Sequence, residues 1–507
     1  MQKKGIVYLI GAGPGDPELI TVKGKRLLGR AQVVVYDYLA NKRLLEHVPP
    51  SATLIYAGKK GGSTHTHSQT EINQMLVDHA LAGKTVVRLK GGDPFIFGRG
   101  GEEIEELAGH GVAFEVVPGV TSASAAATYA GVPITHRSFT SSVAFVTGHE
   151  DPTKHESRIA WDKLATGVGT IVFYMGIKNL PNISTNLIKH GRDPKTPVAV
   201  VRWASTPEQR SVVGTLENIS EVVLNSGITP PALVVVGEVV SLRDTINWYE
   251  KRPLFGKKIV VTRSRSQASE LVQSLEDLGA SCLEAPTIAL EPLENLQALD
   301  GTLAAIGDYD WLLFTSPNTV GFFFQRLQEL GYDSRSLAGP KIAAVGAATA
   351  DSLREHGIRA DLLPGEFTGE GLLQALLKEG VKGKRVLLPR AAKAREVLPQ
   401  GLADAGARVD VVALYRNVPP PMGEELRRAL DAGEVDLITF TSSSTVENFV
   451  EQLAVRGDEL AKLLAGVKIA AIGPITAATA EQAGVRVDIQ PKVHTINGLV
   501  EAIGEHL

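Results

Sequence analysis

Val87-Arg-Leu-Lys-Gly-Gly-Asp-Pro-Phe-Ile-Phe-Gly-Arg-Gly-Gly-Glu-Glu103 carries a β-branched strand into five glycines within eleven residues. The pair Gly91-Gly92 lets a ligand come up against bare backbone. Asp93 can accept hydrogen bonds from ribose hydroxyls or an amine, and Arg88, Lys90 and Arg99 offer positive charge. The competing reading is a strand-end loop leading into a helix capped near Glu102. So dense a run of glycine favours a ligand loop over that reading.

Outward from this segment, short β-branched runs alternate with longer amphipathic stretches, the α/β signature. Ile6–Ile10, Val33–Tyr36, Val86–Leu89, Ala144–Thr147 and Thr170–Tyr174 read as strands. Gly11-Ala-Gly-Pro-Gly-Asp16 follows the first of them, and Asp37 ends the second. That pairing invites a dinucleotide reading. The spacing argues against it, because Gly15 follows Gly13 by two residues instead of three and Pro14 removes an N–H from the phosphate cradle. Pro118-Gly-Val-Thr-Ser-Ala-Ser124 reads as a strand end, a cap by Thr121 or Ser122, and a small-residue helix. His65 and His67 lie two apart in a glycine-flanked loop with no cysteine near, so metal is not expected there. Ser68 with Glu71 forms a capping box instead.

The chain has 507 residues, a length suited to about three domains. It is 44% hydrophobic and 21% charged, so most of it should fold. A net charge of −4 excludes a whole-surface nucleic-acid footprint. The first 257 residues net +5 and the remainder −9, so an anion bound by the second half must meet a few placed arginines. One cysteine, Cys282, forms no internal disulfide, which fits a reducing cytosol. No secretory or membrane-spanning segment is expected, and the location expected is cytoplasmic.

Asn247–Lys257 breaks the strand-helix rhythm and is the expected linker between residues 1–246 and 258–507. An internal repeat follows it. Lys258–Arg263 matches Arg385–Arg390, Phe314–Val320 matches Phe440–Val446, and Lys341–Gly346 matches Lys468–Gly473, at offsets of 127, 126 and 127 residues. Two similar α/β units therefore make up the second half, each running a strand into a Thr-Ser turn and a helix.

The Gly11–Asp16 turn, Ala31–Leu39, Arg88–Glu103, Val117–Thr121, Gly131–Arg137, Thr147-Gly-His149, Tyr174-Met-Gly176 and Pro231–Val240 together resemble the uroporphyrinogen-III C-methyltransferases. The resemblance covers nearly all of Gly5–Leu242. It implies a tetrapyrrole methylase fold, two α/β subdomains holding S-adenosylmethionine in the cleft between them, and a homodimer. The family's cofactor contacts carry over to Pro14, Gly91, Gly92, Asp93, Ile96, Thr121, Ser122, Met175 and Ala204. The proton acceptor carries over to Asp37 and the proton donor to Lys59. Lys60 stands beside Lys59, and the sequence leaves open which ammonium faces the site. Arg88 and Arg99 are the expected contacts to substrate carboxylates.

The repeat region resembles uroporphyrinogen-III synthase through Lys258–Arg263, Phe314–Val320, Ala344-Val-Gly346, Val412–Tyr415, Phe440–Ser443 and Ile472-Gly473. That family implies a bilobed α/β fold with lobes interleaved in sequence, about 258–285 with 419–507 and 295–410. The repeat alone would divide the chain into consecutive halves near Lys384. The implied catalytic tyrosine is Tyr415, for which packing in the connection between lobes is an equal reading. Arg263, Ser316, Thr441 and Ser442, at strand ends, are the expected substrate contacts.

Together the resemblances imply one chain that closes hydroxymethylbilane to uroporphyrinogen III and methylates it twice to precorrin-2, towards sirohaem and cobalamin. Its partners would be small tetrapyrroles, without nucleic acid or membrane. Two rivals stand beside this. An NAD-dependent dehydrogenase would use Gly11–Asp16 and Asp37, and NADH binding would reveal it. A bilobed tetrapyrrole sensor attached to a methyltransferase would bind hydroxymethylbilane without accelerating its closure.

Overall fold

A computed structural model describes residues 4–58, 67–149, 158–263, 265–420, 423–453, 455 and 457–507. Lys59, Lys60 and His65 lie outside the described residues. The backbone gathers into two compact units. One holds Met1–Ile259 with Leu271–Cys282 and Val500–Leu507, the other Val260–Glu270 with Leu283–Leu499.

The first unit contains two five-stranded sheets. Strands β1 (Ile6–Gly11), β2 (Val33–Tyr36), β3 (Thr53–Tyr56), β4 (Thr85–Lys90) and β5 (Ala113–Val117) lie in the order β3-β2-β4-β1-β5, every pair parallel. The apolar run Val33-Val34-Val35 is wholly buried because both faces of this sheet are covered. Val33 and Val35 join a core with Leu76 and Leu107, while Val34 joins Leu28 and Leu44 on the other face.

Strands β6 (Val143–Thr147), β7 (Thr170–Tyr174), β8 (Pro197–Arg202), β9 (Arg210–Thr215) and β10 (Ala232–Val236) form the second sheet, ordered β6-β7-β10-β8-β9. It is mixed: β6 and β7 are parallel, and β10 runs antiparallel to both β7 and β8. β6, β7 and β8 consequently end at the same edge.

The segment 247–257, the expected linker, is packed down along its length. Tyr249 and Leu254 are buried, and Glu250 accepts hydrogen bonds from Gln209 (2.9 Å), Ser211 (2.6 Å) and Arg243. Arg252 covers the rings of Trp248 and Tyr249. Aromatic side chains placed every few residues gave the segment enough apolar surface to anchor itself.

The second half has two sheets. Strands β11 (Lys258–Val261), β12 (Ser281–Glu284), β18 (Leu437–Phe440) and β19 (Lys468–Ala471) take the order β12-β11-β18-β19. Strands β13 (Ala289–Pro292), β14 (Trp311–Phe314), β15 (Lys341–Ala344), β16 (Arg385–Ala391) and β17 (Arg408–Val418) take the order β13-β17-β16-β14-β15, with only β13 antiparallel. Strands before Ala285 and after Pro420 thus share one sheet, and the chain between them builds the other. Both halves are α/β, and the second carries two sheets. Among the described residues no helix is long and apolar enough to cross a membrane.

Candidate active sites

The order β3-β2-β4-β1-β5 sets the loops after β1 and β4 side by side, flanked by those after β2 and β5. All four leave the carboxyl edge of a parallel sheet, where open α/β sheets bind ligands. Gly13 and Gly92 exchange two backbone hydrogen bonds across the central pair, at 3.2 and 2.7 Å. A Cβ at Gly11 would lie 2.5 Å from Gly119 Cα, and one at Gly119 would lie 2.2 Å from Gly92 O. Three loops therefore cross backbone against backbone. The side-chain space of Gly91 is filled by Leu39, whose Cβ stands 2.5 Å from the position a Gly91 Cβ would take. Gly92, at φ +67°, has no atom within 3.7 Å of that position and lies open. Asp93 accepts from Phe95 N–H at 2.8 Å and Gly119 N–H at 3.0 Å, so its carboxylate also stitches the loops together.

The second sheet closes this crevice. Thr121 Oγ1 shares a 2.6 Å hydrogen bond with the phenol of Tyr174, which also accepts from Ala123 N–H at 3.2 Å. Asp16 N–H donates to Ser205 Oγ at 3.2 Å, and the buried Ala204 sits in the same turn. Pro14 belongs to the turn after β1, Ile96 to the loop after β4, and Ser122 opens the helix Ser122–Tyr129. A cavity of about 420 Å³ opens between the loop after β4 and the ends of β6 and β7, lined by Phe95, Phe97, Arg99, Thr147 and Met175 among others.

Backbone strain marks the same place. Among the described residues the non-glycine positions with positive φ are Phe97, Arg99, Met175, Trp203 and Ser205, all on loops of this crevice. Such conformations cost about 1–3 kcal/mol each and gather at ligand sites. Sequence reasoning singled out Arg99 and Met175 but passed over Phe97, Trp203 and Ser205, since nothing in residue type announces a positive φ. Tyr174 entered it as a strand end and within the Tyr174-Met-Gly176 motif, with no contact assigned to it.

Asp37, directly after β2, is partly exposed and accepts from Arg88 Nη2 at 2.6 Å. Arg88 corrects an expectation. It is 2% exposed, and it donates to Asp37, to Glu103 Oε1 (3.0 Å) and to Val35 O (3.3 Å), so its guanidinium is committed to acceptors inside the fold instead of standing open to a ligand. Lys90 is buried as well and donates to Glu103 Oε1 at 2.8 Å. Burial pulls the Arg88 guanidinium down, but Asp37 and Glu103 outweigh it and the net direction is up. For Lys90 burial and the neighbouring Arg88 prevail, and the ammonium is lowered. Glu103 was missed as a site residue because it reads as an ordinary first-turn acid of the helix Gly100–Gly109. The usable signal was Arg88 and Lys90 at i and i+2 on a buried strand, two cations on one face that demand an acid opposite. Arg99 pairs with Glu102 at 2.5 Å and remains half-exposed at the cavity.

In the second half Ser316 caps the helix Pro317–Glu329 by accepting from Thr319 N–H at 3.2 Å. Its Oγ lies 3.3 Å from the Tyr415 hydroxyl, so two expected residues meet. Tyr415 is only 5% exposed and stacks on Phe322 at 4.8 Å, an environment that matches its packing reading. Arg263, after β11, and Thr441, after β18, are partly buried on the other sheet. Ser442 accepts from Thr445 N–H at 3.4 Å, the repeat equivalent of Ser316 and Thr319.

The duplication reaches further than the quoted motifs. Asp361 accepts from Ile342 N–H (2.7 Å) as Asp488 does from Ile469 N–H (3.0 Å). Thr368 caps Gly371 as Thr495 caps Gly498. Among the described residues no cluster of three or more His, Cys, Asp or Glu could hold a metal ion.

Residues 6–220 match the family described as tetrapyrrole (corrin/porphyrin) methylases, and residues 269–501 match uroporphyrinogen-III synthase HemD. The porphyrin biosynthesis protein HemD of Ruminiclostridium josui is 41% identical over 89% of this chain and 89% of its own. An S-adenosyl-L-methionine-dependent uroporphyrinogen III methyltransferase of Methanosarcina barkeri is 54% identical over 48% of this chain and 94% of its own. The crystal structure of a Thermus thermophilus uroporphyrin-III C-methyl transferase complexed with S-adenyl homocysteine is 44% identical, covering 47% of this chain and 100% of that one, with a TM-score of 0.41. With both matches in one chain, and a relative that aligns across both, the protein belongs to the tetrapyrrole methylases through its first half and to the uroporphyrinogen-III synthases through its second.

Proposed function

We propose that residues 258–507 close hydroxymethylbilane to uroporphyrinogen III and that residues 1–246 methylate that product twice, giving precorrin-2 for sirohaem or cobalamin synthesis. The fusion has chemical sense, because the product of the second half is the substrate of the first. The observation that carries the methyltransferase reading is the strained crevice between the two sheets of the first unit. The positions at which relatives are expected to touch the methyl donor lie on its loops.

The crevice fits S-adenosylmethionine. Open backbone at Gly92, the Ser122 hydroxyl and the Asp93 carboxylate offer hydrogen bonds to a nucleoside or an amino-acid group, and half-exposed Met175 offers an apolar wall. When bound, the cofactor supplies an electrophilic methyl group on a sulfonium, whose C–S bonding pair leaves on sulfur. A reduced pyrrole carbon is enamine-like, so the chain's main task is to position two reactants. Methylation at that carbon leaves the ring positive, and Asp37, oriented by Arg88, takes the single proton whose loss restores neutrality. Arg99, which lines the 420 Å³ cavity, is proposed to exchange its Glu102 partner for a substrate carboxylate.

In the synthase half, Ser316, Ser442, Thr441 and Arg263 are proposed to bind carboxylates and impose the ring-inverting closure. Tyr415 is proposed to act through Ser316. The first half is further proposed to pair as a homodimer, which light scattering of the purified chain tests.

The deciding experiment is an anaerobic assay of the whole chain on hydroxymethylbilane, with and without S-adenosylmethionine, resolving products by chromatography and mass. Uroporphyrinogen III without the donor and a doubly methylated product with it are expected. Formation of the type I isomer alone would refute the synthase reading and favour the sensor. Failure to methylate added uroporphyrinogen III would refute the methyltransferase reading.

A further inference from the structure

Arg88, Lys90 and Glu103 form a charged cluster sealed inside the first unit, with side-chain exposures of 2%, 4% and 0%. A sheet face needs no such cluster for stability, since apolar residues of similar volume commonly serve as well or better. Glu103 Oε1 collects three donors, Arg88 Nε, Lys90 Nζ and Gln69 Nε2. Glu103 Oε2 is buried with no hydrogen-bond partner among the described residues. A buried orphan oxygen calls for a reason. Of the four linked charges only Asp37 reaches the crevice, its side chain 26% exposed.

We infer that Glu103 is a positioning residue for methyl transfer: it balances the buried Lys90 and shares Arg88, and so fixes the guanidinium that orients Asp37 at the crevice. This rests on Asp37 being the proton acceptor. Asp37 faces Arg88 and Lys90 from β4, Glu103 from the helix Gly100–Gly109, Tyr56 from β3, and its own neighbours Tyr36 and Tyr38. The Arg99–Glu102 pair borders Glu103 on the solvent side and is internally balanced. With Glu103 ionised, two cations face two anions. Without its charge, Arg88 loses one of the two carboxylates that fix its guanidinium and no longer holds Asp37 in one place.

The test uses the full-length chain with uroporphyrinogen III and S-adenosylmethionine. Asp37→Asn comes first. If methyl transfer is undiminished, the acceptor reading falls, separately from this inference. If Asp37→Asn slows methyl transfer, Glu103→Gln should reduce kcat about tenfold to a hundredfold, as a displaced reacting group does. KM and S-adenosylhomocysteine affinity should change less than threefold. The double variant Glu103→Gln with Lys90→Met, which removes one charge of each sign, serves if Glu103→Gln does not fold and should show the same loss. Adding Glu103→Gln to Asp37→Asn should cost no further rate, which separates positioning of Asp37 from general damage to the fold. An undiminished kcat in every folded variant, or losses that simply add in the Asp37 and Glu103 double variant, would overturn the inference.

Discussion

Gly119→Ala tests the backbone crossing on which the first site depends. A Cβ there would lie 2.2 Å from Gly92 O and 2.8 Å from Gly11 Cα, against 3.4 Å or more for an ordinary contact. All the obstructing atoms are backbone, so no side chain can rotate away. The loop after β4 must retreat by about 1 Å, breaking the paired Gly13 and Gly92 hydrogen bonds or the Asp93 bond to Gly119 N–H. Forcing extra volume into packed structure costs about 1–3 kcal/mol. A reacting group misplaced by about 1 Å costs about a hundredfold in rate. Denaturant melts, calorimetry with S-adenosylhomocysteine and methylation assays would therefore register lower stability, weaker binding and a methyl-transfer rate down by about two orders of magnitude. Gly109→Ala is the control. Nothing lies within 4 Å of its Cβ position, and it should leave activity unchanged while adding up to about 1 kcal/mol of helix stability. Gly119→Ala with unaltered binding and rate would refute the crossing as the origin of the site's geometry.

Further expectations concern single side chains. Tyr174→Phe leaves Thr121 Oγ1 and Ala123 N–H without their partner, which should cost about 1–3 kcal/mol in a denaturant melt and weaken S-adenosylhomocysteine binding. Ser316→Ala and Ser442→Ala, equivalent caps in the repeat, should each cost about 1 kcal/mol, whereas uroporphyrinogen III formation should fall only if these hydroxyls touch substrate. Tyr309 is pushed up to about 12 by burial and by its hydrogen bond to Asp410. The folded state holds that proton after the unfolded chain has begun to release it near 10, so this contribution is full below about pH 10 and is lost towards about pH 12. Denaturant midpoints should decline over that window, and Tyr309→Phe should flatten the decline.

The local signals in this chain are strong where a segment's neighbours in sequence decide its structure. Continuous apolar runs such as Val33-Val34-Val35 and Val198–Val201 announce strands covered on both faces, because only a strand without a solvent side tolerates such a run. Glycine and proline after them mark turns, and the 126- and 127-residue offsets reveal the duplication that reappears as paired caps at Ser316 and Ser442. Family resemblance added the chemistry, since its motifs lie on those same turns.

Residue type and spacing alone do not say which strands become neighbours, and the site depends on that. The order β3-β2-β4-β1-β5 puts Gly11, Gly92 and Gly119 in contact, so glycines legible as ligand loops prove to be required first by backbone crossing. Arg88 reads in the sequence as a cation for substrate carboxylates. Folding buries it between Asp37 and Glu103, a partner fifteen residues away whose role depends on the helix that carries it over the sheet. Asn247–Lys257 breaks the local period and so reads as a tether, yet Tyr249 and Leu254 bury themselves once surfaces distant in sequence are present to receive them. Periodicity and turn chemistry are set by interactions within a few residues, whereas burial, ion pairing and strain are set by whichever distant segments the fold brings alongside.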